Sequence, residues 1–155
     1  MDTLDIRPLV ADAESEACAD LLASSEPWLT LGLDRPTLLR QIQDPSRERY
    51  TAWVEGQLAG LLVLNLQGAF VGYVQTICMT PVCRGRGLGA ALIAFAEARI
   101  FREHPNVFLC VSAFNLGARR FYGRLGYQVV GELPDYLVAG QSEILMRKSR
   151  GPKLP

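Results

Sequence analysis

Three glycines and two arginines fall within six residues at Arg84-Gly-Arg-Gly-Leu-Gly89. Glycine at positions 85, 87 and 89 lets the backbone approach a ligand closely and take conformations that a Cβ forbids. Leu88, Ala91, Leu92 and Phe95 then recur at helical spacing, so the glycines open a helix. The first turn of that helix leaves N–H groups without intrahelical partners, at the positive end of the helix dipole. Arg84 and Arg86 add positive charge beside them. Such a loop is a cradle for phosphate or pyrophosphate.

Familiar phosphate loops fit it unequally. A P-loop needs Gly-Lys-Ser/Thr, and the only lysines are Lys148 and Lys153. Gly85-Arg-Gly87-Leu-Gly-Ala90 matches the loose dinucleotide form G-x-G-x-x-A. The next apolar strand, however, ends in Ser112-Ala113, with no acidic residue to hold a ribose. An ordinary glycine-rich strand–helix turn is the plainer alternative. A second cluster lies downstream: Asn115-Leu-Gly-Ala118-Arg-Arg-Phe-Tyr122-Gly-Arg124-Leu-Gly126-Tyr127.

The elements that must position these residues follow from periodicity and turn chemistry. Thr3 to Val10 reads as a strand, and Asp12 caps a helix to about Ser24. Ser24-Ser-Glu-Pro-Trp28 breaks that helix. A second helix follows Asp34, with Pro36 in its first turn. Strands are expected at Arg49–Val54 and Leu58–Leu66, joined by a hairpin at Glu55-Gly56-Gln57, and at Phe70–Met79. A helix runs from Gly87 to about Glu103, where His104-Pro105 stops it. Val107–Ser112 is a buried strand, Asn115 caps a short helix through Arg124, and Tyr127–Leu133 and Ser142–Lys148 are the last strands. The order βααβββαβαββ gives an α+β fold: one mixed seven-stranded sheet flanked by about four helices. Residues 1–148 form a single domain, and 149–155 read as a frayed tail.

A chain of 155 residues has the length of one domain, and its formal charge is zero. A nucleic-acid binder usually carries a basic excess, so that partner class is disfavoured. The longest apolar run, Leu58 to Leu66, is too short to span a bilayer, and no signal peptide is visible at the start. Cys18, Cys78, Cys83 and Cys110 form no C-x-x-C pair, and His104 is the only histidine. The expectation is therefore reduced cysteines, no metal site and a cytoplasmic protein with no membrane partner.

The two clusters resemble the two signatures of the GNAT superfamily of N-acyltransferases. Arg84-Gly-Arg-Gly87-Leu-Gly89 matches Gln/Arg-x-x-Gly-x-Gly/Ala, its coenzyme A loop. Asn115 to Tyr127 resembles Asn-x-x-Ala-x-x-aromatic/aliphatic-Tyr-x-x-x-Gly-Phe/Tyr, after one intervening helix and strand. The resemblance covers about residues 3–148. It implies acetyl transfer from acetyl-coenzyme A directly to an amine, through a tetrahedral intermediate. It implies that the fourth and fifth strands splay to admit the pantetheine arm, which would pair with backbone near Ile77, Cys78 and Met79. The N–H groups of Gly85, Arg86, Gly87, Leu88, Gly89 and Ala90 would hold the pyrophosphate, with Arg84 at the first motif position. Asn115 and Ala118 would border the cofactor, and Arg124 would reach the 3′-phosphate.

An amine attacking a thioester builds an oxyanion and expels a thiolate, and one positioned donor for the oxyanion is worth about 3 kcal/mol. A thiol has a pKa of about 8.5 and a phenol of about 10, so a phenol can protonate the thiolate while staying protonated at neutral pH. Tyr122 matches the family's acid position. The general base is not fixed: Glu26, Asp34, Glu132 and Asp135 lie in loops or strand ends bordering the cleft, and Gln75 and Thr76 stand where some family members carry a carboxylate. Trp28, Leu31, Leu33 and Tyr136 sit where the family builds its acceptor pocket, and Trp28 reads equally as a core plug. Glu26, Trp28, Gln75 and Tyr136 are the candidate acceptor contacts. The acceptor is a primary amine, on a small molecule or a peptide N-terminus. A catalytically silent acyl-coenzyme A-binding regulatory domain is the second reading, and a nicotinamide oxidoreductase the third. Late strand edges leave room for a homodimer.

Overall fold

The computed structural model describes residues 2–155. Its elements are β1 (Asp5–Pro8), α1 (Asp12–Ala23), α2 (Trp28–Leu31), α3 (Arg35–Ile42), β2 (Glu48–Val54), β3 (Gln57–Asn65), β4 (Tyr73–Met79), α4 (Leu88–Phe101), β5 (Asn106–Ser112), α5 (Leu116–Arg124), β6 (Gln128–Pro134) and β7 (Ser142–Ser149). One seven-stranded sheet runs β1-β2-β3-β4-β5-β7-β6. Only β4 and β5 are parallel; all other neighbours are antiparallel. The expected mixed sheet is present, with one helix more than expected.

Alternation along the strands divides the core into two layers. Leu62 and Leu64 face one side of the sheet, where Leu88, Leu92, Ile93, Ala96 and Ile100 of α4 cover them. Those α4 residues recur at helical spacing, and burying each large one contributes about 1.5–3 kcal/mol. Leu61 and Val63 face the other side and pack with Cys18 and Leu22 of α1 and Leu38 and Ile42 of α3.

Local chemistry explains where the elements depart from expectation. The N-cap of α1 is Ala11, without a side-chain cap, and Asp12 is already helical. α3 follows Asp34 as expected, and Asp34 also caps it, its carboxylate accepting from Thr37 N at 2.9 Å. The unexpected α2 is a single turn following Pro27, closed by Gly32 at φ +69°. β4 begins at Tyr73 rather than Phe70, because Gly72 takes φ +91° and ends the extended run. Phe70 is exposed and meets Phe108 edge-on at 5.4 Å. At the other end β7 continues to Ser149, which pairs with Asn106, and Arg150 lies over the Phe101 ring at 3.9 Å. These contacts extend beyond the expected domain edge at residue 148.

The sheet is nearly divided at its centre. β4 and β5 pair only at Tyr73–Phe108 and Val74–Leu109, and Phe108 N donates to Gly72 O at 3.0 Å just before them. In the same place the β3 partner passes from Val74 to Thr76, so Gln75 is an extra residue in β4. Such a bulge bends its strand and re-aims the residues beyond it. Beyond Val74 the two central strands have no ladder between them, so the expected splay is present.

Candidate active site

A cavity of about 500 Å³ lies over this opening. Tyr122, Ile77, Gln75, Asn115 and Ala118 line it, as do Glu26, Trp28 and Tyr136 from the connections outside the sheet. Ile77, Asn115, Ala118 and Tyr122 of the cofactor-side candidates thus share one space with the acceptor-side ones, whereas Cys78, Met79, residues 84–90 and Arg124 are not in its lining. Trp28 lines the cavity and packs against the α1–α3 core.

Tyr122 is fixed by its neighbours. Its ring meets Phe121 edge-on at 5.1 Å and Tyr127 at 5.8 Å, and Tyr122 is only 8 % exposed. Burial, and secondarily the nearby Cys78 thiol, pushes its phenol above the ordinary value, so it stays protonated. Asn115 is occupied locally: its Oδ1 accepts from Ala118 N at 3.2 Å and caps α5. Gln75 Oε1 accepts from Arg47 Nε at 2.6 Å, and Arg47 also faces Asp44 at 3.8 Å. Cys78 is buried, and burial raises its thiol pKa.

The glycine loop follows β4 through the turn Pro81–Cys83. Gly85 and Gly87 take φ +70° and +76°, conformations that favour glycine. No side chain caps α4, whose N-cap is Gly87, and the first helical hydrogen bond is Ala91 N to Gly87 O at 3.2 Å. The preceding N–H groups, of Leu88, Gly89 and Ala90, have no intrahelical acceptor. A Cβ on Gly89 would lie 3.7 Å from the Phe121 ring and 3.8 Å from Met79 Cγ, which places the helix start beside α5 and the end of β4. Neither arginine side chain of the loop is free. Arg84 donates to Met79 O at 3.1 Å and to Ser25 Oγ at 3.2 Å, tying the loop to α1's C-terminal turn. Arg86 pairs with Asp2 and donates to Val82 O at 3.1 Å. Arg124 is exposed in the last turn of α5.

Of the four acidic residues considered as bases, only Glu26 reaches the cavity, and its Oε2 accepts from Thr30 N at 3.2 Å. Asp34 is spent on its cap, and Asp135 accepts from Gly140 N at 2.6 Å. Glu132 is exposed on edge strand β6. Sequence reasoning missed Glu143, which is 3 % exposed and lines the cavity with Ser112, Cys110 and Tyr73. A signal for it existed. In Ser142–Lys148 the alternation puts Ile144 and Met146 on one face but Leu145 on the other, so Glu143 shares a face with an apolar residue.

The sheet is parted between its two parallel central strands, and an uncapped glycine-rich helix start lies beside the gap, as the family resemblance implied. The sequence pattern of the Acetyltransferase (GNAT) family matches residues 13–127. A blasticidin-S acetyltransferase of Streptomyces morookaense is 34 % identical over 99 residues, 64 % of this chain and 72 % of that protein. The N-alpha-acetyltransferase RimI of Mycobacterium tuberculosis is 28 % identical over 161 residues, 96 % of this chain and 98 % of that one. The crystal structure of an aminoglycoside 6′-N-acetyltransferase complexed with coenzyme A superposes with a TM-score of 0.73, at 18 % identity, covering 97 % of this chain and 99 % of the other. This chain belongs to the GNAT acetyltransferase family. It is an acetyl-coenzyme A-dependent N-acetyltransferase.

Among the described residues no helix is long and apolar enough to cross a membrane, and no group of three or more side chains is arranged to hold a metal ion.

Proposed function

We propose that the enzyme acetylates a cationic primary amine that enters the 500 Å³ cavity and attacks the thioester in the gap between β4 and β5. One observation carries this reading. The unpaired stretches of β4 and β5 open into the same cavity that holds Tyr122 and the acceptor-side residues Glu26, Trp28 and Tyr136. Ile77–Met79 pair with β3 on one side, and their edge facing β5 has no ladder; that edge fits a pantetheine arm, because backbone amides there need partners and an extended amide chain supplies them. The N–H groups of residues 85–90 fit the pyrophosphate. Arg84 and Arg86 act through the backbone they position, since their guanidinium groups are held by Met79, Ser25 and Asp2. Exposed Arg124 serves the 3′-phosphate. Acetyl-coenzyme A supplies the activated acetyl group.

Tyr122 protonates the departing thiolate. Its raised pKa makes it a weaker acid than a free phenol, but it also keeps the proton in place until a thiolate forms beside it. Glu26, Glu143 and Asp44 outnumber Arg47 in the cavity, so an ammonium group is favoured over an anion. Trp28 and Tyr136 supply faces for the acceptor's apolar part or its charge. This chemistry suits a peptide N-terminus, a polyamine or an amino-bearing antibiotic, acting in the cytoplasm.

Thermal unfolding with acetyl-coenzyme A, coenzyme A and NAD in parallel tests the site. A ligand at about 100 times its Kd stabilises by about 2.7 kcal/mol, a rise of several degrees. A rise with the coenzyme A pair alone supports the reading; no rise with either sinks it. Amine-dependent release of coenzyme A thiol then excludes the silent regulatory domain.

A further inference from the structure

Glu143 has so far counted only toward the negative charge of the cavity. It stands on β7 opposite Ser112 of β5 and Leu133 of β6. Ile144 and Met146 beside it join the core under α4, so alternation turns Glu143 to the opposite face, where the cavity lies. Glu143 is 3 % exposed and Ser112 1 %, yet neither Glu143 Oε2 nor Ser112 Oγ has a hydrogen-bond partner among the described residues. None of the ion pairs among those residues includes the Glu143 carboxylate. The titratable groups around it are Tyr73 of β4, Cys110 of β5 and, across the cavity, Tyr136, Glu26 and the Asp44–Arg47 pair.

A buried carboxylate oxygen without a partner gives up hydration that the fold does not return. An unpartnered carboxylate oxygen and an unpartnered hydroxyl on adjacent strands, in two residues that line one cavity, mark a position built for something that arrives. Glu26 is engaged by Thr30 N, and Asp44 by Ser46 and Arg47, so Glu143 is the acid whose valence is open. We propose that Glu143 receives the acceptor's ammonium group and takes from its nitrogen the proton that must leave before attack on the thioester. The assignment rests on the acceptor cavity of the proposed function.

The step balances without any further reagent. The ammonium gives one proton to the Glu143 carboxylate and becomes a neutral amine. Its lone pair forms the C–N bond at the thioester carbonyl. The C–S bond then breaks with its electron pair going to sulphur, and Tyr122 supplies the sulphur's proton. The remaining excess proton on nitrogen restores the Tyr122 phenol, and Glu143 releases its own to water. Acid and base thus stand on opposite faces of the sheet: Tyr122 belongs to the core under α4 and α5, and Glu143 to the face turned away from it. Burial also raises the carboxyl's affinity for a proton, which narrows its mismatch with an amine.

The test uses the full chain, with Glu143→Gln and Glu143→Asp. Coenzyme A thiol release is followed from about pH 6 to 9 with three acceptors: an alanine-initiated hexapeptide, spermidine and kanamycin. For every acceptor that the wild type uses, Gln should lower kcat by about 100-fold or more, and Asp should recover part of it. Stabilisation by coenzyme A should be the same in all three proteins. If it is absent in the wild type, the functional reading fails, and that outcome is separate from the fate of Glu143. A readout free of turnover accompanies the kinetics. With carboxyl-labelled glutamate and saturating coenzyme A, one NMR signal should titrate above the ordinary range and vanish in Glu143→Gln. The proposal is overturned if Gln keeps kcat within about threefold, or if every glutamate carboxyl titrates in the ordinary range. Should none of the three amines be turned over, the NMR titration alone decides.

Discussion

Replacing Gly72 by alanine probes the joint that holds the two halves of the sheet. Gly72 has φ +91°, where any side chain is strained, at about 1–3 kcal/mol. Its Cβ would also collide with Asn106 O and approach Ile100 Cγ2 at 2.8 Å, overpacking worth about 1–3 kcal/mol more. The backbone oxygen cannot rotate away as a flexible side chain could, so the two costs add to about 2–6 kcal/mol. At about 2–4 °C per kcal/mol for this size, Tm should fall by about 5–20 °C. Gly68 provides the control: its φ is +88°, but nothing lies within 4 Å of its Cβ. Gly68→Ala should therefore lose only the strain component. Calorimetry of both variants isolates the collision, and hydrogen exchange at Phe108, whose N–H donates to Gly72 O, locates it. Equal losses in the two variants would refute the reasoning, since they would mean that close packing at the joint adds nothing.

Two further perturbations reach different parts of the molecule. Tyr122→Phe should lower kcat roughly tenfold or more while leaving stabilisation by coenzyme A nearly unchanged, because only the phenol's proton is lost; unaltered turnover would remove Tyr122 from the chemistry. Arg99 of α4 grips Glu48 of β2 through two contacts, at 2.5 and 2.8 Å, and this pairing chiefly holds the Glu48 carboxyl below its usual range. A depressed carboxylate contributes stability above its unfolded pKa, about 4.3, and loses it as pH falls through the folded value. Arg99→Met should therefore lower Tm by a few degrees at neutral pH, as about 1 kcal/mol from a partly exposed pair requires. The deficit should close as acid protonates Glu48, and a gap of constant size down to about pH 3 would contradict it.

Most of the scaffold was legible because it is written in local chemistry. The Asn115 cap, the Glu55-Gly56 turn and the apolar spacing of α4 each depend on residues a few positions apart. The glycine loop was legible for the same reason: glycine spacing and an uncapped helix start are both local properties. The features that the sequence hid depend on tertiary neighbours. Phe70 resembles strand sequence until Gly72 meets Asn106 and forces the turn. Arg84 resembles a free charge until Met79 and Ser25 occupy it. Glu143 looks like the polar residue of an alternating strand, and only the arrangement of β5, β7 and the cavity shows that its face is buried. Asp34 and Asp135 erred the other way, because local backbone donors claimed carboxylates that loop position alone had left open.

The parted seam also bears on the protein's colloidal behaviour. An ordinary seven-stranded sheet exposes two edges, but here the lengths of β4 and β5 beyond Val74 and Leu109 add two more, facing each other across the gap. Unpaired strand edges are templates for other chains. An acyl donor lying in the gap would supply the missing ladder and close both inner edges. Supply of coenzyme A would then regulate the enzyme's solubility as well as its turnover. Protein purified without the donor should be the more prone to associate on gentle warming, well before its hydrophobic core melts.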